Sequence, residues 1–380
     1  MDIALRCLTL YLTLIVGLYL LCTFFNCFYY RRARENGTLI PMTVIKPMRG
    51  WETKLEGNLL SLLESDREGA LQIIFAVESE SDTAYPAALR AQQAFASRDI
   101  HLLITGPSRE RMGKIHNMIE ALKFAKHPYV VFSDSDVRTT RTLLCETSRA
   151  FQEGADLICA VPYALTASNL GETMLGFCFN HYLASTAAAM HRVGVFHSFA
   201  GGWMGFSRLT LEKLGGLGPF ERHIADDYAV SQAALKAGAR PKILPCVASI
   251  YEETAGIGDA FKHILKWSLV VRYAAPGLAF VAPLCTPTFL SGILLLASFG
   301  SASQVPIAVF LAVVGLRIIS AYAQDRIIAN ARFPLWAYPL LPLLDLALMG
   351  VGFISLFKRT IAWRGKTYRL LYGGQVEVVS

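Results

Sequence analysis

The sequence predicts an α/β domain with a mostly parallel, twisted sheet flanked by helices, together with transmembrane helices. Composition is the first indication, since 53% of the 380 residues are hydrophobic and only 17% are charged, against about 25% charged in an average soluble domain. The second indication is that positions 7–30 and 273–316 contain no charged residue. Between them, short apolar runs alternate with helix-like stretches, as in βαβ units. A wholly soluble or disordered chain is excluded.

The first uncharged segment predicts an N-terminal transmembrane anchor over residues 1–30. A bilayer core of about 30 Å needs roughly 20 helical residues, and the segment has that length. A cleaved secretory signal is the alternative, but Arg31, Arg32 and Arg34 follow where small residues at a cleavage site are expected. Because basic residues collect on the cytoplasmic side, we expect a retained anchor whose C-terminal end is inside.

Residues 31–272 are predicted to form a cytoplasmic domain that contains the sheet. Helix-like stretches at 85–95 and 114–124 have lengths that suit right-handed crossovers between parallel strands. Eight scattered cysteines without a CxxC pair indicate neither a zinc site nor a disulfide framework, which favours the reducing cytosol. Ligands of such sheets bind beyond the carboxyl ends of the strands. The predicted strands are 43–46, 71–77, 101–104, 129–133 and 157–161.

Residues 273–357 are predicted to form a C-terminal membrane block. The second uncharged segment is long enough for two spans. A third apolar stretch, residues 333–357, contains three prolines and Asp345. As a plain span it would carry a basic tail, residues 358–380, to the outside, against the positive-inside rule. We therefore expect a bent or re-entrant segment with Asp345 buried against protein and a cytoplasmic tail.

The fourth predicted strand ends in two carboxylates at alternate positions, Asp134 and Asp136. Mg²⁺ and Mn²⁺ take oxygen ligands and commonly bind through one or two carboxylates plus substrate phosphates. The pattern therefore fits a metal site. Capping of the following helix explains the same residues, and the pattern alone supports both interpretations equally.

A second pair of acids, Asp226 and Asp227, precedes a helix-like stretch over residues 228–237. One carboxylate can cap the helix while the other acts as a general base toward an acceptor hydroxyl. Both acids also suit the positive end of a helix dipole without any catalytic role. Taken alone, the pair favours this structural interpretation.

A third feature is a probable amphipathic helix that carries His263, Lys266 and Trp267 just before the membrane block. Lying along the membrane surface, it would place Lys266 to neutralise a departing diphosphate and Trp267 to offer a flat platform to an acceptor. Lys and Trp also serve as plain interfacial anchors. Local evidence favours the anchor.

In their order, these motifs resemble the ceramide glucosyltransferase family, membrane-bound inverting glycosyltransferases with a GT-A fold, and its bacterial hopanoid-associated relatives. The resemblance runs through most of the chain, and an ordered set is more specific than any one motif. Its segments are KPMRG (46–50), KIHNM (114–118), DSDVR (134–138), GGWMGFSR (201–208), LEKLGGL (211–217), ADDYA (225–229), HILKW (263–267) and WRGKTYRL (363–370).

The resemblance implies roles for the two acidic motifs. Asp134 and Asp136 fall in the slot that binds the nucleotide diphosphate and its metal, Mg²⁺ or Mn²⁺, with Asp136 as the preferred ligand. Asp227 matches the catalytic base, and Asp226 replaces the usual neighbouring Glu. On the nucleotide side the resemblance implies Lys46, Lys114 and Asn117.

The sequence departs from the family pattern at two places. The (Arg or Gln)-x-x-Arg-Trp element is represented by His263, Lys266 and Trp267, so the bidentate guanidinium fork is lost and the first residue is neutral near pH 7 unless its pKa is raised. After the second strand, Ser79 stands where the family has an Asp that helps to hold the uridine. Glu78, one residue earlier, is expected to supply that carboxylate, although an exposed acidic loop would look the same.

The implied function is inverting transfer of a sugar from a UDP-sugar, with glucose favoured, to the hydroxyl of a membrane lipid such as ceramide. A hopanoid or other lipid acceptor with UDP-N-acetylglucosamine fits the same motifs. A processive polysaccharide synthase and a catalytically silent membrane binding module are the remaining alternatives. We expect an integral protein of a bacterial inner membrane or a Golgi-type membrane, and no nucleic-acid partner, because cytoplasmic flanks and phosphate substrates account for the net charge of +7.

Overall fold

The computed structural model describes residues 3–31, 33–109, 111–194, 200–299, 304–363 and 366–379. Strands in these residues are β1 (Met42–Pro47), β2 (Leu71–Val77), β3 (Asp99–Ile104), β4 (Tyr129–Ser133), β5 (Val137–Arg138), β6 (Leu157–Ala160), β7 (Pro162–Ala164), β8 (Trp203–Ser207), β9 (Pro241–Ile243), β10 (Ala248–Ile250), β11 (Thr360–Trp363), β12 (Lys366–Leu370) and β13 (Val376–Val378).

In the described residues, α-helices occur both in the domain that contains the sheet and in the apolar segments. They are α1 (Ile3–Tyr30), α2 (Leu55–Ser65), α3 (Tyr85–Ala94), α4 (Gly113–Leu122), α5 (Arg141–Gln152), α6 (Leu170–Cys178), α7 (Ser185–Arg192), α8 (Arg208–Lys213), α9 (Asp226–Lys236), α10 (Ile257–Ala274), α11 (Pro276–Leu284), α12 (Pro287–Ala297), α13 (Val305–Ile328) and α14 (Leu341–Ser355). A π-helix, Phe179–Ala184, joins α6 to α7.

The central sheet has the strand order β3-β2-β1-β4-β8-β6-β9. Its pairs are parallel except those of β8, which runs antiparallel to both β4 and β6. Every residue of β1 and β2 is buried, as expected for strands covered by helices on both faces. The predicted fold class, a mostly parallel sheet flanked by helices, is confirmed.

The antiparallel strand β8 brings a second chain segment to the carboxyl end of β4. Ser133 pairs with Trp203, and the backbone N–H of Asp134 donates to the carbonyl of Gly202 at 3.0 Å. Trp203 is fully buried, and its indole N–H donates to Oγ1 of Thr147 at 3.0 Å. Burial of a large aromatic side chain stabilises the fold by about 1.5–3 kcal/mol, which fixes this junction.

Three helical segments in the described residues have the length and composition to cross a membrane: Ile3–Tyr30, Val305–Ile328 and Leu335–Ser355. Two shorter segments, Pro276–Ala282 and Pro287–Ala297, meet at a bend of 51° and bring the number to four if they form one span. Leu335–Ser355 begins as a 3-10 helix and continues as α14. A re-entrant course for this last segment stays a prediction.

Asp345 of α14 is fully buried, as expected from the sequence. Its carboxylate pairs with the guanidinium of Arg317 on α13 at 3.2 Å and accepts a hydrogen bond from Tyr182 of the π-helix. The ion pair therefore joins two candidate spans to the segment that follows α6.

The described residues of the predicted basic tail form the antiparallel sheet β11-β12-β13. The backbone N–H of Val376 donates to the carbonyl of Arg222 at 2.8 Å, and that of Ile224 donates to Gly374 at 2.9 Å. Lys366 Nζ donates to the carbonyl of Arg109 at 2.6 Å. The predicted tail therefore contacts the β3–α4 loop at Arg109 and the segment before α9 at Arg222 and Ile224.

Candidate active site

Three of the sequence motifs meet at Lys114, in the first turn of α4. Its Nζ lies 2.7 Å from Oδ1 of Asp134 and 3.9 Å from Oδ2 of Asp226. Burial by itself lowers the pKa of Lys114, but the carboxylates of Asp134, Asp226 and Asp227 outweigh it and raise that pKa well above its ordinary value. The lysine is therefore a fixed positive charge among these acids.

Asp226 and Asp227 lie in the first turn of α9, which begins two residues before the predicted stretch at 228–237. Backbone N–H groups of Gly201 and Tyr228 donate to the two oxygens of Asp227, each at 2.8 Å. Burial raises the pKa of Asp227, and burial together with the neighbouring Asp227 and Asp134 raises the pKa of Asp226 to about 6, against the opposing effect of Lys114. Each oxygen of Asp227 keeps a second lone pair for a substrate hydroxyl.

Gly201 permits this arrangement because it has no side chain. A Cβ at this position would lie 3.0 Å from Nζ of Lys114 and 3.2 Å from Cβ of Asp227. Such contacts are tighter than ordinary packing allows, so a larger residue would displace the ammonium or the carboxylate.

Lys46 is fully buried beneath the loop that carries the first acidic motif. Its ammonium donates to the backbone carbonyls of Asp134 at 2.7 Å and Val137 at 3.1 Å. Burial lowers the pKa of Lys46 to about 8, although Asp136 and Asp134 oppose this. Lys46 therefore holds the backbone of the loop that carries Asp134 and Asp136.

Asp136 has a buried carboxylate oxygen, Oδ1, without a hydrogen-bond partner among the described residues, as expected of a carboxylate that can bind a metal ion. Burial, followed by the charges of Asp134 and Glu252, raises the pKa of Asp136 well above the ordinary value. The described residues contain no group of three His, Cys, Asp or Glu side chains that would hold a metal alone. One or two carboxylates completed by substrate phosphates are the common arrangement for Mg²⁺ and Mn²⁺ in nucleotide sites, and Asp136 fits it.

Asn117 of α4 and Glu78, which follows β2, were expected on the nucleotide side, and both make contacts at the carboxyl ends of the parallel strands. Asn117 is buried and uses its amide within the protein, donating to Met48 O and Ala76 O and accepting from Thr105. Glu78 pairs with Arg49 at 3.3 Å and accepts from the N–H of Ser108 at 3.3 Å. These contacts brace the loop between β3 and α4.

Ser79, which stands where the family pattern has an Asp, contacts its own loop. Its hydroxyl lies 2.7 Å from that of Ser81. Ser79 therefore has a local partner, whereas the neighbouring Glu78 brings a carboxylate to the β3–α4 loop.

The third motif lies on α10, which is helical as expected. Lys266 Nζ lies 4.6 Å from the ring centroid of Trp363 in β11, a cation–π distance. The ring of Trp267 packs edge-on against Phe179 at 4.9 Å, and His263 lies 6.0 Å from Trp267. Burial, followed by the nearby Lys266, lowers the pKa of His263, so this side chain is neutral near pH 7.

Sequence reasoning did not identify three residues at this site: Gly201, Glu252 and Trp363. Glu252 follows β10, and a search of strand ends for carboxylates would have found it. Trp363 belongs to the WRGKTYRL segment, for which the sequence pattern implies no role. Gly201 opens the GGWMGFSR segment, but its contact with Asp227 depends on long-range packing that no local pattern reveals.

Comparison with known proteins gives the same family over almost the whole chain. Residues 9–376 match the model described as Glycosyl transferase family 21. The chain is 21% identical over 361 residues to ceramide glucosyltransferase 3 of Caenorhabditis elegans, covering 91% of this chain and 76% of the relative. It is 24% identical over 265 residues to ceramide glucosyltransferase 1 of the same organism, covering 69% of this chain and 56% of the relative.

A solved structure supports the fold assignment. A mannosyltransferase from Pyrobaculum calidifontis, in complex with GDP-Man and Mn²⁺, is similar with a TM-score of 0.57 and 17% identity. The similarity covers 93% of this chain and 99% of the other. The GT-A-like fold expected from the sequence is thereby confirmed.

Proposed function

The chain belongs to glycosyl transferase family 21, and from this premise we propose that it transfers a sugar from a UDP-sugar, UDP-glucose first, to the hydroxyl of a membrane lipid such as ceramide. The observation that carries the proposal is the convergence of Lys114, Asp134, Asp226 and Asp227. This group combines a base beside the site of transfer with a positive charge suited to a nucleotide diphosphate.

The proposed reaction is a single in-line displacement. Asp227 accepts the proton of the lipid hydroxyl, whose oxygen attacks the anomeric carbon while the bond to the diphosphate breaks, so the anomeric configuration inverts. Backbone N–H groups of Gly201 and Tyr228 hold the carboxylate in orientation. Burial raises the pKa of Asp227 and so favours proton uptake, while the charge of Lys114 acts in the opposite direction and favours the ionised carboxylate.

The leaving diphosphate needs positive charge. Asp136, with Asp134 beside it, is proposed to hold Mg²⁺ or Mn²⁺, which when bound neutralises charge on the diphosphate oxygens. Lys266 is proposed to contribute from the other side, as a point charge in place of a guanidinium fork, with Trp363 against its ammonium.

The proposed orientation places the catalytic domain in the cytoplasm, as the basic flanks indicate. Trp267 and the rest of α10 then lie beside the membrane block, where a lipid can present its hydroxyl without leaving the bilayer. Arg272 lies near the end of α10, and its guanidinium donates a hydrogen bond to the backbone carbonyl of Ser355 in α14. This contact supports the proposed position of α10.

Sugar transfer by the purified full-length protein tests the proposal. UDP-glucose and UDP-N-acetylglucosamine are each offered with ceramide or a hopanoid polyol, in the presence of Mg²⁺ or Mn²⁺, and the radiolabelled lipid product is measured. We expect product from wild type and a loss of at least about 1,000-fold in Asp227→Asn. UDP binding without transfer to any lipid would contradict the proposal.

A further inference from the structure

A fully buried carboxylate, Asp325 near the end of α13, takes no part in the proposed reaction. Its oxygen Oδ1 accepts hydrogen bonds from the hydroxyl of Tyr163 at 2.7 Å and from the amide of Asn180 at 2.9 Å. Its oxygen Oδ2 accepts from the hydroxyl of Tyr338 at 2.8 Å and lies 3.2 Å from Nε2 of His181. All four partners are buried as well. Each carboxylate oxygen therefore has two polar partners, as a buried acid requires.

The partners of Asp325 come from different parts of the protein. Tyr163 belongs to β7, whereas Tyr338 lies in the 3-10 helix that begins a candidate span. Asn180 and His181 lie in the π-helix between α6 and α7, and π-helical turns are frequent at functional sites. Asp325 thus joins strand β7 to the membrane block.

Asn180 also holds the end of β7 through its backbone. Its side-chain oxygen accepts from the N–H of Ala164 at 2.9 Å, and its amide N–H donates to the carbonyl of the same residue at 3.0 Å. β7 is an edge strand of the three-stranded sheet β5-β10-β7, and Asn180 pairs with its last residue as a neighbouring strand would. The hydrogen bond from Asn180 to Asp325 fixes this side chain in turn.

One strand separates β7 from the loop that carries Asp134 and Asp136. In β10, Ile250 pairs with Ala164 of β7 on one side and with Val137 of β5 on the other. Val137 directly follows Asp136 in the chain. Because backbone hydrogen bonds hold neighbouring strands together, a shift of β7 reaches the backbone beside Asp136 through two strand pairs.

The cost of burial indicates what the Asp325 carboxylate does. Removing a charged group from water costs free energy, and apolar residues of similar volume often stabilise such a site equally well. The four polar contacts of Asp325 fix their partners relative to one another, which apolar packing does less specifically. The arrangement therefore favours precise placement of β7 rather than added stability.

We propose that Asp325 is a positioning residue. Its hydrogen bonds to Tyr163 and Asn180 hold β7, and β7 acts through β10 on the backbone at Val137. This keeps the carboxylate of Asp136 in position to bind the metal ion. The proposal rests on the proposed function, in which Asp136 holds Mg²⁺ or Mn²⁺, and it makes the affinity for that ion depend on a residue of the membrane block.

Two variants that each lose one hydrogen bond to Asp325 test the proposal. Tyr163→Phe removes the donor on the β7 side, and Tyr338→Phe is the matched control, because it removes the same group from the membrane side. Hydrogen exchange of residues 134–138 is measured by mass spectrometry in the full-length protein in one detergent. Exchange should be about tenfold faster than wild type in Tyr163→Phe, the effect of losing a hydrogen bond to a charged group, and within about twofold of wild type in Tyr338→Phe.

The affinity for Mn²⁺ is the second readout, measured by electron paramagnetic resonance of the UDP-loaded full-length protein. The Kd for Mn²⁺ should rise about tenfold in Tyr163→Phe, at the lower end of the effect of losing an outer-shell partner of a metal site. In Tyr338→Phe it should stay within about twofold of wild type, although both variants lower the thermal unfolding temperature. A purely structural role of Asp325 would affect the two variants alike.

Equal exchange in the two variants overturns the proposal, and so does the wild-type Kd for Mn²⁺ in a folded Tyr163→Phe. Asn180→Ala removes the other partner of the same oxygen and replaces Tyr163→Phe if that variant does not fold. Neither readout needs sugar transfer. A wild-type protein that binds no Mn²⁺ would contradict the metal site of the proposed function, and hydrogen exchange of residues 134–138 would then decide the positioning role by itself.

Discussion

Nζ of Lys114 lies 2.7 Å from Oδ1 of Asp134, across the gap between the first turn of α4 and the carboxyl end of β4. This ion pair joins two motifs that are separated along the chain by the rest of α4 and by β4. The same ammonium lies 3.9 Å from Oδ2 of Asp226. Lys114 is thus the positive centre around which three carboxylates are arranged, and its removal leaves them to repel one another and an incoming diphosphate.

Lys114→Gln is therefore expected to lower kcat/KM about 100-fold, with a higher KM for UDP-sugar, because the diphosphate meets uncompensated carboxylates. Steady-state kinetics with varied UDP-sugar measure both quantities. Lys123→Gln is the matched control, since Lys123 is an exposed lysine just beyond α4 that pairs with Glu120. Equal effects of the two variants would contradict the assigned role.

The acid pair predicts how activity depends on pH. Burial raises the pKa of Asp227 and brings that of Asp226 to about 6. The two adjacent carboxyls titrate as a pair, which takes up a proton as the pH falls through about 6, the pKa of Asp226. A proton held by the pair weakens its action as a base toward the lipid hydroxyl. The value of kcat/KM should therefore rise between about pH 5 and pH 7.

The pH profile of Asp226→Asn checks this assignment. Removal of the neighbouring negative charge favours ionisation of Asp227, so the acid limb should move to lower pH. A profile that is flat from about pH 5 upward in wild type, or one that Asp226→Asn does not move, would count against the pair.

Gly201→Ala is expected to reduce kcat more than tenfold with little change in the thermal unfolding temperature. The new Cβ would crowd Nζ of Lys114 and the side chain of Asp227, which must shift from their positions. Gly57→Ala on α2 is the control, because a Cβ there meets no atom within 4 Å. If both variants keep wild-type kcat, the close approach at Gly201 has no catalytic importance.

The contact between Lys266 and Trp363 predicts a role for the C-terminal sheet. Loss of the aromatic face in Trp363→Leu should raise the KM for UDP-sugar about twofold to thirtyfold, in line with a cation–π interaction of about 0.5–2 kcal/mol. Trp363→Phe keeps a ring and should recover most of the loss. Steady-state kinetics and thermal unfolding of the two variants test this role. A purely structural role of Trp363 would change kcat, KM and the unfolding temperature together, which would contradict the prediction.

The sequence predicted the parallel half of the sheet closely, because buried parallel strands are continuous apolar runs. The bounds of β2 and β4 coincide with the predicted 71–77 and 129–133. It did not predict β8, in which Gly205 interrupts the apolar pattern and packs against Ile158 and Phe151. An antiparallel strand inserted into a parallel sheet depends on partners distant in sequence, which local periodicity does not encode.

The candidate site was predictable to the same extent. Acids at strand and helix ends are visible in the sequence, and the structure brings Asp134, Asp226 and Asp227 together around Lys114. The sheet formed by β11, β12 and β13 was not predicted, because its strands are short and the basic residues of this region suggested a charged tail. Its contact with Lys266 closes a loop of almost 100 residues, so only the tertiary structure reveals it.

The buried pair of Arg317 and Asp345 predicts the stability of the membrane block. Asp345→Asn leaves the guanidinium of Arg317 without its counter-ion in a site where it is 4% exposed, so unfolding should become easier by about 3–5 kcal/mol. The double variant Arg317→Met with Asp345→Leu removes both charges and should recover most of that loss. Thermal unfolding of the three proteins in the same detergent measures the effect. A single variant as stable as wild type would mean that water or lipid headgroups reach Arg317.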